Sequence, residues 1–136
     1  MLWYRLLDIG FFVFHSALIA FILFGWTWRK TRRLNLFVVA LTVASWFGLG
    51  IWYGFGYCPC TDWHWKVRFA LGDTDLPFSY IKFMIDRAFG VDAPAYWVDA
   101  ATVAGFALAT VASVTTNAMD YRRKRLAATG GTKIRA

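Results

Sequence analysis

The run IGFFVFHSALIAFILFGWTW, from Ile9 to Trp28, contains no formally charged residue. A helix needs about 20 mostly apolar residues to cross the hydrocarbon of a bilayer, and this run has that length. Apolar side chains occur on every side of it, so no polar stripe is available to face water. It reads as a membrane span, one that can begin as early as Trp3. Working outward, two further runs have the same character: Leu34 to Tyr57 and Ala95 to Met119. The whole chain of 136 residues is 59% hydrophobic and 17% charged, against about 25% charged in a soluble domain. The expected fold is therefore all-α, a multi-pass bundle of three transmembrane helices (about residues 3–28, 34–57 and 95–119). Residues 1–121 form one membrane domain and 122–136 a basic tail.

The net charge of +7 raises the question of nucleic acid. The positions of the basic residues argue against it. Arg29, Lys30, Arg32 and Arg33 fill the loop between the first two runs, and Arg122, Arg123, Lys124, Arg125, Lys133 and Arg135 follow the third. These are ten of the fifteen basic residues, accompanied by a single acid, Asp120. Such asymmetry sets membrane orientation. It places loop and tail in the cytoplasm, with the N-terminus outside and the connector 58–94 facing the periplasm or exterior. The first residues lack the basic start and small-residue cleavage site of a signal peptide.

The connector is too short and too apolar for a domain of its own. Thr61 or Asp62 can cap a short helix that stops near Gly72, and Ser79 can cap a second, Tyr80 to Phe89, stopped at Gly90. These two helices belong at the interface, where Trp63, Trp65, Tyr80, Tyr96 and Trp97 suit the headgroup level.

Helices in lipid associate through close contact at small residues. Ala101, Gly105, Ala109, Ser113 and Asn117 follow one another at i+4 spacing and make a smooth stripe down the third span. Ala40, Ala44 and Gly48, then Gly50 and Gly54, are the corresponding positions of the second. The expectation is that these two spans meet. Asn35 and Asn117 can bond across the bundle near its cytoplasmic end. Arg5 and Asp8 can pair at i, i+3, and Asp99 can reach Arg5, Lys66, Arg68 or water.

His15 falls near the middle of the first span. A hydrogen bond to Thr42, Ser45 or Thr110 is the plain reading; an axial ligand for haem, or a contact to lipid or quinone, is the sharper one. A second haem ligand would have to be His64, which the sequence puts about half a membrane away.

The stretch GYCPCTDWHW, Gly56 to Trp65, holds the remaining chemistry. Cys58, Cys60 and His64 form C-x-C-x-x-x-H, which could hold zinc or cuprous copper. The two thiols could also form a strained, oxidising disulfide, although Pro59 between them restricts closure. The architectural reading explains more of the residues. Gly54 and Gly56 permit close approach, Pro59 ends the second span, and Thr61 or Asp62 starts the next helix. No cofactor is the leading expectation.

The order of these features resembles a known family. A His in the first span is followed by an Asn-led second span ending in Gly-x-Cys-Pro-x-Thr-x-Trp. A Tyr-Ile helix comes next, and Asn-x-x-x-Tyr closes the third span. The matching positions are His15, Cys58, Pro59, Thr61, Tyr80, Ile81, Asn117 and Tyr121, and together they resemble the small bacterial membrane family termed domain of unknown function 2784. In that family a Leu-like residue often occupies the position of Cys60. The resemblance therefore implies that the dithiol and the C-x-C-x-x-x-H cluster are not requirements of the fold. It implies a fold and no activity. No acid stands near midplane to relay ions, and no nucleophile–base arrangement is evident. The functional expectation is an accessory or assembly subunit of a larger membrane complex, in contact with lipid and other membrane subunits. A thiol or metal module at the outer surface and a ligand-binding bundle around His15 are the alternatives.

Overall fold

A computed structural model describes residues 1–133. Among them are five helices and no strand: α1 (Leu2–Phe24), α2 (Arg32–Tyr53), α3 (Pro59–Ala70), α4 (Tyr80–Phe89) and α5 (Ala95–Lys133). Helices α1, α2 and α5 are long and apolar enough to cross a membrane, with mean hydropathies of 2.2, 1.9 and 1.5 over their most apolar stretches. Only 11–17% of those stretches is buried inside the protein. Most of the span surface is thus left for lipid, which is why the apolar residues are not sorted onto one face.

The helix ends follow local chemistry. α1 stops at Phe24, short of the expected Trp28, because its last carbonyls are taken by side chains that fold back. Trp26 Nε1 donates to Leu23 O at 2.7 Å, and Thr27 Oγ1 donates to Phe24 O at 2.7 Å. Asn35 Nδ2, from α2, donates to Phe21 O at 2.7 Å. Asn35 is fully buried and serves α1 as a cap supplied from the neighbouring helix. α2 stops at Tyr53 and not at Tyr57, since Gly54 takes φ +100° and Gly56 φ +85°, a region that excludes most side chains. Pro59 is the first residue of α3, where its missing N–H costs nothing, rather than the terminator of α2. Ser79 Oγ caps α4 by accepting from Lys82 N, and Gly90 closes it at φ +65°. α5 continues through the basic segment to Lys133, well beyond the expected end at Met119. Residues 134–136 of the expected tail lie outside the described residues.

α2 is not uniform. Ala44–Leu49 forms a π-helical turn, with Gly50 N–H bonded to Ser45 O five residues back. The wider turn frees Ser45 Oγ to donate to Tyr57 O at 2.7 Å. It also leaves Trp46 stacked at a tilt on Phe106 of α5, ring centres 4.6 Å apart. This is the mid-height contact between α2 and α5. At the loop end a single Arg32 nitrogen, Nη1, donates to both Asp120 oxygens, at 2.9 and 3.1 Å, and Asn117 Nδ2 donates to Arg32 O at 3.0 Å.

The middle of the small-residue stripe of α5 packs inward, whereas Ala101 at its start is exposed. Ala109 and Ser113 are buried, and a side chain at Gly105 would meet Leu23 of α1 at 3.8 Å. Gly50 and Gly54 serve the end of α2 instead. A side chain at Gly50 would meet the backbone of Phe55, and one at Gly54 the ring of Phe78.

Candidate functional site

Four of the most buried polar and aromatic residues cluster where α3 and α4 fold down against α1. Asp8 and His15 come from α1, His64 from α3 and Tyr80 from α4; they are 5%, 6%, 0% and 6% exposed. Asp8 lies two turns into α1, on the face that also carries Phe11, Phe12 and His15. A carboxylate there has left bulk water, so it requires cations and hydrogen-bond donors from the protein.

The connector supplies them. His64 Nε2 lies 2.7 Å from Asp8 Oδ1. Arg87 of α4 donates to both oxygens, Nη1 to Oδ1 at 3.1 Å and Nη2 to Oδ2 at 3.0 Å, the two-pronged geometry in which guanidinium matches carboxylate. Arg68 of α3 approaches the same oxygens at 3.4 Å and pairs on its far side with Asp73. One aspartate therefore ties together three helices. Aromatic rings complete the packing: Arg87 lies 4.9 Å over Phe12 and Arg68 5.3 Å over Phe83.

His64 is read from both sides. Because the carboxylate only accepts, Nε2 carries the proton and donates. Nδ1 then accepts from the Tyr80 hydroxyl, 3.1 Å away. The imidazole stacks on Phe11 at 5.5 Å and meets Phe83 edge-on at 5.8 Å. Burial pushes the His64 pKa below its ordinary value, outweighing the opposite pull of Asp8. Arg68 and Arg87 act in the same direction as burial. Burial likewise pushes the Tyr80 phenol well above its ordinary range.

His15 does not bond to Thr42, Ser45 or Thr110. Those hydroxyls donate within their own neighbourhoods, to Val38 O, Tyr57 O and Phe106 O. Instead the His15 ring stacks on Tyr80, 3.9 Å between centres, and its Nδ1 is buried without a hydrogen-bond partner. Below it Ser16 Oγ lies 3.2 Å from Met84 Sδ. The two imidazoles, expected half a membrane apart, thus both contact the Tyr80 ring, with His64 at 5.6 Å. α4 reaches down α1 as far as Ser16, which the sequence did not disclose.

The third group of sequence candidates separates. His64 faces Asp8 and Tyr80, whereas Cys58 and Cys60 are half-buried free thiols at the start of α3. Among the described residues no three His, Cys or acidic side chains converge in a way that could hold a metal ion. Burial raises the Cys60 pKa, and the charge of Cys58 and a hydrogen bond to it add to the effect. A raised thiol is a weaker nucleophile at neutral pH. Arg5 does not pair with Asp8, because the connector arginines and His64 occupy the carboxylate. Asp99 is exposed and pairs with none of Arg5, Lys66 and Arg68.

Arg87 was missed at the sequence level, and Arg68, Tyr80 and Asp8 were given other roles there: a partner for Asp99, a ring at the headgroup level and a partner for Arg5. A signal existed: an acid inside an apolar run demands cations, and two arginines stood in short apolar connector helices.

Comparison with known proteins adds one result. The family described as Protein of Unknown function (DUF2784) matches residues 5–118, most of the chain, and the protein belongs to it. No curated protein and no solved structure matches the chain significantly.

Proposed function

We propose that this member of the DUF2784 family is an accessory or assembly subunit of a larger membrane complex. It sits in a bacterial cytoplasmic membrane with the connector outside and the arginine-rich end of α5 in the cytoplasm. The observation that carries this reading is the contrast between its two kinds of surface. The cap is bonded mainly within itself: Asp8 accepts from His64, Arg68 and Arg87, and Tyr80 donates to His64. The spans are left open. Leu34, Phe37 and Leu41, at i, i+3 and i+7 on α2, are all more than half exposed, an apolar stripe open to lipid or to a neighbouring helix. The asymmetry of basic residues supports the orientation. Isolation of the tagged protein in mild detergent, followed by native mass spectrometry, tests the reading. A stoichiometric protein partner that is lost on Phe37→Ala supports it; a monomer carrying lipid alone refutes it.

A second reading, favoured by the unpartnered Nδ1 of His15, is a bundle that takes a small hydrogen-bonding amphiphile such as a quinone, or a haem, beside Tyr80. An absorption spectrum and an organic extract of the same preparation test it. Metal analysis with a thiol count tests zinc or copper at Cys58 and Cys60.

A further inference from the structure

On the connector end of the bundle, outside the buried network, lies an open pocket whose polar lining is Arg5, Asp8, Arg68, Asp73 and Arg87. Three guanidinium groups thus face two carboxylates. The carboxylates are already committed. Asp8 accepts from His64 and from both prongs of Arg87, and Asp73 is paired with Arg68. The cations are not exhausted. Arg68 reaches Asp8 only at 3.4 Å. Arg5 is exposed and forms no ion pair among the described residues. The pocket therefore carries one positive charge in excess of negative.

Its remaining walls are Ile9, exposed on α1, and Leu71 at the end of α3. An oxyanion would complete the arginines, and apolar chains attached to it would run down the lipid-facing side of α1 past Leu6, Ile9 and Val13, all more than half exposed. Guanidinium groups bind phosphate oxygens in the same forked geometry as carboxylate. We propose that this pocket binds the phosphate of an anionic phospholipid headgroup, with Arg5 as the principal free cation and Arg68 and Arg87 as its fixed floor. The site is independent of any protein partner.

The test uses the full chain in detergent micelles. Native mass spectrometry reads retention of phosphatidylglycerol against phosphatidylcholine, in wild type, Arg5→Gln and Lys66→Gln. Arg5 makes no internal ion pair, so its replacement leaves the fold intact, which an unchanged melting curve verifies. Lys66 is the control, an exposed connector cation outside the pocket. The wild type should retain phosphatidylglycerol preferentially, Arg5→Gln should weaken it by about fivefold to tenfold, and Lys66→Gln should leave it unchanged. An equal loss in both variants means diffuse surface attraction and overturns the proposal, as does no loss in Arg5→Gln. Competition with inorganic phosphate separates the two sources of the same chemistry. Displacement of lipid by millimolar phosphate alone would assign the pocket to a soluble anion and overturn the lipid assignment; retention supports it.

Discussion

Replacement of Asp8 by alanine removes the acceptor on which the connector closes. Three consequences add. The Nε2–H of His64, on a fully buried ring, loses its only acceptor, and an unsatisfied buried donor costs about 1–3 kcal/mol. Arg87 loses both prongs of its pair. Arg68 keeps Asp73 and loses only its longer contact to Asp8. Breaking a fully buried ion pair costs about 3–5 kcal/mol, and here the arginine side chains are 34% and 22% exposed, so water recovers part of that. The expected loss is about 3 kcal/mol in total. Arg87→Ala should cost less, about 1–2 kcal/mol, because Asp8 retains His64 and Arg68. The assay is SDS titration of the detergent-solubilised protein, followed by tryptophan fluorescence, with the Trp65 ring packed against Tyr80 and Phe83 as the local reporter. A loss below about 1 kcal/mol for Asp8→Ala, or an Arg87→Ala loss equal to or larger than it, would refute the view that this carboxylate is the hub.

Tyr80→Phe keeps the stack on His15 and removes the hydroxyl, leaving His64 Nδ1 without a donor; the same titration should show a loss of about 1–2 kcal/mol. Gly25→Ala places a methyl group 2.5 Å from Phe21 O and 2.8 Å from Asn35 Nδ2, so the α1–α2 turn must open; a loss of about 1–3 kcal/mol and faster proteolysis in the loop are expected. The His64 contribution has a defined sign. Its folded pKa lies below the unfolded value of about 6.5, so the unfolded chain takes up the proton first. The stability that neutral His64 contributes is complete above about pH 6.5 and falls as the pH drops through its folded pKa. Imidazole nitrogen-15 shifts should report a neutral ring protonated on Nε2 at pH 7, and an imidazolium signal there would contradict the reading.

The spans were legible because hydrophobicity over 20 residues is a local quantity. The α4 cap at Ser79 and the stops at Gly72 and Gly90 were legible for the same reason, since each is set by one residue's conformation or side-chain oxygen. The end of α2 was misplaced because Gly54 and Gly56 were read as packing residues when their positive φ makes them a turn. The buried cluster was out of reach for a different reason. Its bonds join Asp8 to residues 56 and 79 positions away, and no periodicity links them. The sequence suggested Arg5 for Asp8 because only the near neighbour can be seen from spacing. Likewise His64 was grouped with Cys58 and Cys60, which are close in sequence, whereas the start of α3 turns its ring toward α1 and the thiols elsewhere.

The long sequence separation within the cluster carries a consequence for biosynthesis. A ribosome adds about 5–20 residues per second, so α1 emerges several seconds before the helices that neutralise its carboxylate. During that interval the first segment enters the lipid with an anion it cannot hide, which holds its leading turns at the aqueous margin. Only when Arg87 has been made can the segment settle to its full depth. A chain truncated before α4 should therefore remain loosely seated and more readily proteolysed than the full chain.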